Sequence, residues 1–168
     1  MEKAGVEAIF RALNQVEARY LVAGGLAVLA HGYLRLTQEI DLILDFTPPH
    51  PEPALRAFAE LDFRPLVPVA LADFADPRAR ASWIREKHAQ VIQLGSDRHP
   101  TVRIDLFLDP QFEFDDGFAR AHRAAIADGV EVPFVALDDL FAMKRAAGRP
   151  QDLLDVENLE RLRGLGPV

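Results

Sequence analysis

The chain contains no cysteine, which excludes disulfides and thiolate metal sites and sets the expectation of a reducing, cytoplasmic setting. It has no apolar run as long as a membrane span requires, and its Met1-Glu-Lys-Ala-Gly start lacks the apolar core of a signal peptide. No repeat, low-complexity segment or linker interrupts it. Basic charge is the minority, with 19 Lys and Arg against 26 Asp and Glu and a formal net charge of −7. That balance disfavours broad binding to nucleic acid or to an anionic membrane, yet leaves room for a local basic pocket. What is present is 49% hydrophobic and 27% charged residues in a chain of 168. Such a composition builds one real core, and a single domain over 1–168 is the expectation.

The periodicity predicts a mixed α/β order. Val6, Ile9, Phe10, Leu13, Val16 and Tyr20 recur at helical spacing. Tyr20–Ala23 reads as a short buried strand ended by Gly24-Gly25, Leu26–Gly32 as a short helix, and Glu39–Phe46 as a second strand. Pro48, Pro49 and Pro51 open a helix that runs to about Leu61. The middle is less regular, with strands expected at Leu66–Val69 and Gln90–Leu94 around a helix near Arg78–Lys87. In Thr101–Leu108, Val102, Ile104, Leu106 and Leu108 alternate with Arg103, Asp105 and Phe107, the period of a strand. A helix follows through Phe118. Asp128-Gly129 between two apolar runs is a hairpin signal. Two helices, Leu137–Gly148 and Pro150–Leu162, close the chain, broken where Gly suits a C-cap and Pro a first turn.

The chemistry concentrates in Gly24–Leu44, "GGLAVLAHGYLRLTQEIDLIL". Successive strand side chains point to opposite faces, so Glu39 and Asp41 share one face while Ile40, Leu42 and Leu44 share the other. Two close carboxylates repel and hold protons unless a cation lies between them. Oxygen ligands of this kind suit a divalent metal, whereas a solvated strand end would give the same pattern with no function. Asp105, on the non-aliphatic face of its strand, is a candidate third carboxylate, or else a wet-edge residue paired with Arg103. The Gly24-Gly25 turn is either a tight turn or a place where backbone N–H groups meet phosphate. Near the end of the chain, Lys144 is positioned to reach a phosphate. Asp152 and Asp155 either complement a helix N-terminus or pair with Arg149 to pin two helices. The histidines lack metal-ligand spacing: His31 reads as structural, and His50, His88, His99 and His122 fall in loops or on polar faces. Trp83 and the Phe-rich segment Phe107–Phe118 read as core.

"LVAGGLAVLAHGYLRLTQEIDLIL" resembles the signature of the nucleotidyltransferase superfamily: a Gly-Gly or Gly-Ser turn, a short helix, then Asp-x-Asp on the next strand. Arg35-x-Thr37-x-Glu39-Ile-Asp41-Leu is similar to the Arg-x-Thr-x-Asp-x-Asp-Leu form of its AbiEii-like toxin branch, and "LDDLFAMKRAAGRPQDLLDVENL" to that branch's closing motif, through Lys144, Ala146, Ala147, Arg149, Asp152 and Asp155. The resemblance covers the two ends and Asp105; between Pro48 and Pro100 only the order of elements corresponds. It implies an α/β fold, a small mixed sheet with packed helices and a C-terminal helical pair. It also implies metal-dependent transfer of a nucleoside monophosphate from an NTP to a hydroxyl acceptor such as tRNA or protein, with a small antitoxin-like partner and no membrane.

The site residues it implies are Glu39, Asp41 and Asp105 on two Mg²⁺ or Mn²⁺ ions about 3.5–4 Å apart, Gly24 and Gly25 around the triphosphate, and Lys144 and Arg149 on its charge. Asp105 is the candidate general base. Three positions depart from the family pattern. Glu39 stands where the family has Asp, Gly25 where a serine often holds the triphosphate, and Gln38 where the toxin branch often has a basic residue. The alternative reading is therefore a catalytically degenerate module of the same fold that binds nucleotide or protein.

Overall fold

The computed structural model describes residues 2–109 and 112–165. Seven strands form one sheet in the order β3-β4-β5-β2-β1-β7-β6. The strands are β1 (Tyr20–Val22), β2 (Glu39–Leu44), β3 (Arg64–Pro65), β4 (Val91–Gly95), β5 (Arg103–Phe107), β6 (His122–Ala127) and β7 (Val130–Phe134). The helices are α1 (Lys3–Gln15), α2 (Gly24–Ala30), α3 (Pro51–Glu60), α4 (Pro77–Lys87), α5 (Phe114–Ala119), α6 (Leu137–Ala147) and α7 (Pro150–Leu165). The β2–β5 and β1–β7 pairs are parallel and the other pairs antiparallel. The architecture is the expected small mixed sheet with packed helices and a C-terminal helical pair. Among the described residues no helix is long and apolar enough to cross a membrane.

Period-2 patterning builds the centre. Ile40, Leu42 and Leu44 of β2 and Val102, Ile104, Leu106 and Leu108 along β5 are all buried, joined from α1 by Ile9, Phe10 and Leu13. Burying this aliphatic face supplies the main stabilisation, and it leaves the opposite face of β2 and β5 to carry Glu39, Asp41, Arg103 and Asp105. The Asp128-Gly129 hairpin joins β6 to β7 as predicted.

Three expectations are corrected. Leu66–Val69 is not a strand: β3 is two residues long, Leu66 and Val67 are about half exposed, and only the Leu66 N–H, bonded to the Gln93 carbonyl, prolongs the pairing. Pro65 precedes this segment and Pro68 lies within it, and neither has an N–H to donate to a ladder, which limits it to a short edge. The first helix ends at Gln15 rather than Tyr20, because the chain turns at Glu17 with a positive φ. A 3-10 helix at Leu71–Ala75, unseen in the sequence pattern, buries Phe74 against Trp83. The helix expected after Leu108 begins only at Phe114, and residues 110–111 of that stretch lie outside the described residues.

Candidate active site

Asp41 and Asp105 are Cα partners in the parallel β2–β5 ladder, so the two carboxylates stand side by side on one face of the sheet. They line a cavity of about 310 Å³ between that face and α6, together with Gly24, Gln90, Val91, Phe107, Leu140, Met143, Lys144, Ala146, Ala147, Arg149 and Asp152. Sheet and helices alike contribute both apolar and charged side chains to the lining. Glu39 shares the face, as the alternation requires, but lies one rung further along, opposite Arg103, and does not line the cavity. Among the described residues no three His, Cys, Asp or Glu side chains close on a common point as a ready-made metal cage.

The Gly24-Gly25 turn serves Asp41 directly. Gly24 has φ +57°, a left-handed conformation that suits glycine, and a Cβ there would overlap the Asp41 carboxylate. A Cβ on Gly25 would collide with Thr37 and with the Arg35 guanidinium. The Ala23 N–H bonds the Asp41 carbonyl at 2.9 Å, locking the turn to β2. The Asp41 carboxyl is pushed up to about 6, first by burial and then by the charge of Asp105, with Glu39 adding to the effect. The Gly25 N–H beside it and the charge of Lys144 work the other way. The backbone N–H at this turn therefore acts electrostatically on a carboxylate of the chain itself.

Asp105 is held from its other side. The Gln93 amide donates to Asp105 Oδ1 at 2.8 Å across the antiparallel β4–β5 pair. Nothing in the linear pattern singled out Gln93, because its value depends on the register between two strands. The apolar cavity residues Val91, Phe107, Leu140 and Met143 were likewise legible only as core.

The closing motif folds into a buried ion network. Lys144 Nζ donates to Asp152 at 2.9 Å and to Asp155 at 2.6 Å, with all three side chains almost wholly buried. Arg149 Nε donates to the other Asp152 oxygen at 2.6 Å. Arg35 Nε approaches Asp155 at 3.4 Å, close enough for ion pairing but outside hydrogen-bond geometry. Burial works against the Asp152 charge, but the bonds from Arg149 and Lys144 override it and hold that carboxyl below its ordinary value. The expectation that Lys144 stands free to reach a phosphate is corrected: it lines the cavity with its ammonium committed to two aspartates of the next helix. Arg149, with a side chain 76% exposed, is the cation at the cavity rim. Asp152 and Asp155 thus act as the pins between helices, one to Arg149 and both to Lys144.

His31 is structural as expected. Its Nε2 lies 2.9 Å from the Val135 carbonyl and its ring 5.0 Å from that of His122, and burial leads the lowering of its pKa.

No protein-family model and no curated protein matches the chain. Among solved structures, it is similar to the crystal structure of the lincosamide antibiotic adenylyltransferase LnuA with lincomycin bound. The likeness covers 95% of this chain and 97% of that one, with a TM-score of 0.61 and 12% identity. At that identity the likeness is one of fold, and the fold is nucleotidyltransferase-like.

Proposed function

We propose that the chain is a metal-dependent nucleotidyltransferase that moves an NMP from an NTP to a hydroxyl. The carrying observation is the Asp41–Asp105 pair, adjacent on parallel strands at the wall of a cavity in a nucleotidyltransferase-like fold. The donor set fits a divalent cation. Burial and Asp105 together raise Asp41, which is the strain a cation between the two carboxylates would relieve. Mg²⁺ is commonly held by one or two carboxylates plus water and substrate phosphates, so no closed protein cage is required. Asp41 and Asp105 would hold Mg²⁺ or Mn²⁺, with Glu39 one rung away as a further ligand. The ion supplies polarisation of the α-phosphate and charge neutralisation.

The chain's own residues do the rest. Gly24 and Gly25 admit Asp41 to the cavity wall and fix its orientation. Arg149 meets phosphate charge at the rim, and the Lys144 network holds α6 and α7 in place to form the roof. The acceptor oxygen bonds to the α-phosphorus, the bond to the β-phosphate oxygen breaks, pyrophosphate leaves, and the hydroxyl proton passes to Asp105.

The net charge of −7 and the likeness to an enzyme that binds lincomycin support a small-molecule hydroxyl as acceptor. The closing motif supports the AbiEii-like alternative, a toxin acting on tRNA or protein with a small antitoxin-like partner. Calorimetry tests the site: each NTP should bind only with Mn²⁺ present, and Asp41→Asn or Asp105→Asn should abolish that Mn²⁺-dependent binding. NTP binding that ignores Mn²⁺ contradicts the proposal.

The non-catalytic module remains the second reading because Glu39 stands off the cavity. The substitution Glu39→Asp separates the two by sign. In an enzyme adapted to the longer side chain it lowers single-turnover transfer with Mn²⁺; in a degenerate module it raises transfer from a near-zero baseline.

A further inference from the structure

We propose that Gln93 is a positioning residue that fixes the Asp105 carboxylate for cation binding, an inference that rests on the reading of Asp41 and Asp105 as the metal-holding pair. Three neighbouring strands place Gln93, Asp105 and Asp41 in one row. Gln93 is the Cα partner of Asp105 across β4–β5, and Asp105 is the partner of Asp41 across β5–β2. Partners in a ladder present their side chains on the same face, about 4.8 Å apart strand to strand. The row therefore reads amide, carboxylate, carboxylate. Asp41 and Asp105 line the cavity and Gln93 does not, so Gln93 grips Asp105 from the far side. Its amide takes Oδ1 at 2.8 Å.

The choice of side chain matters. A lysine or arginine at position 93 would orient Asp105 equally well but cancel its charge, and would compete with any cation for it. An amide donor fixes the rotamer and keeps the full negative charge available. Neutral partners of this kind hold ligands in the geometry a metal needs, and losing one typically weakens metal affinity about 10–100-fold.

The test is Mn²⁺ titration followed by electron paramagnetic resonance, on the full chain without nucleotide. Gln93→Met keeps the length and removes the donor. It should weaken Mn²⁺ binding about tenfold or more while the melting midpoint in EDTA stays close to wild type. In an Asp105→Asn background the same substitution should cost nothing further, since its effect runs through Asp105. Gln93→Asn, whose amide falls one methylene short, should weaken binding in the same direction, and it carries the test if Gln93→Met does not fold. Side-chain couplings measured by NMR should show Asp105 released to several rotamers in either variant while Asp41 stays fixed. Unchanged Mn²⁺ affinity in both variants, or an undiminished loss in the Asp105→Asn background, overturns the role of Gln93 and leaves the carboxylate pair standing. A wild-type chain that binds no Mn²⁺ either alone or together with an NTP overturns the pair itself, and this inference with it.

Discussion

Asp41 carries an electrostatic penalty that the rest of the fold has to offset. The folded chain binds its proton more tightly than the unfolded chain does, because its carboxyl is raised from 3.8 to about 6 by burial and by Asp105. Stability in metal-free buffer should therefore fall as pH rises from about 4 to 6 and stay at the lower level above that, with this group costing about 3 kcal/mol at neutral pH. Asp41→Asn should remove that fall, raising stability at pH 7.5 in denaturant titrations with EDTA; an unchanged pH profile contradicts the assignment. Because the cation and the proton compete for Asp41, Mn²⁺ affinity should decline below about pH 6 in the wild type, a trend that calorimetry at stepped pH would reveal. The shared face of Glu39 and Asp41 was legible because strand periodicity fixes it, and Asp105 because its alternation with Ile104 and Leu106 is unbroken. That Glu39 stops short of the cavity was not legible: which rung reaches a cavity depends on where α6 lies across the sheet.

At the level of elements, the helical pair α6–α7 is held by charge as much as by apolar contact. Its sequence pattern predicted both helices and the break between them, because Gly148 and Pro150 mark it locally. The partners of Lys144 were hidden because they lie eight and eleven residues on, across a turn whose angle no local pattern specifies. Lys144→Ala leaves Asp152 and Asp155 buried with Arg149, Arg35 and the Gln151 amide as the neighbours left to them, and should cost about 3–5 kcal/mol of unfolding free energy. Urea denaturation measures it, and a loss below 1 kcal/mol would show that the ammonium does not hold the pair. The Leu66–Val69 segment failed for a different reason. Its apolar composition suits a strand, but Pro65 before it and Pro68 within it deny it a ladder, so a short edge strand takes its place.

Across the whole molecule, one sheet sorts the chain into two jobs. The aliphatic face of β2 and β5 builds the core, and the opposite face presents the carboxylate row under α6. The ends of the sequence spell this out and the middle does not, since the middle supplies the short edge strand β3, the strand β4 whose role depends on its register with β5, and covering helices. With a net charge of −7 on the chain, the proposed function assigns the meeting with a polyanionic nucleotide to the cavity rim at Arg149. The central claim is chemical transfer at Asp41 and Asp105. Its most direct test follows the label when α-labelled and γ-labelled NTPs are incubated with Mn²⁺ and separate acceptor fractions of small hydroxyl compounds, total RNA and protein. Label from the α-phosphate alone should enter one acceptor fraction with release of pyrophosphate, and Asp105→Asn should abolish it. Nucleotide that binds with Mn²⁺ but labels no fraction would contradict the account and leave a binding module in its place.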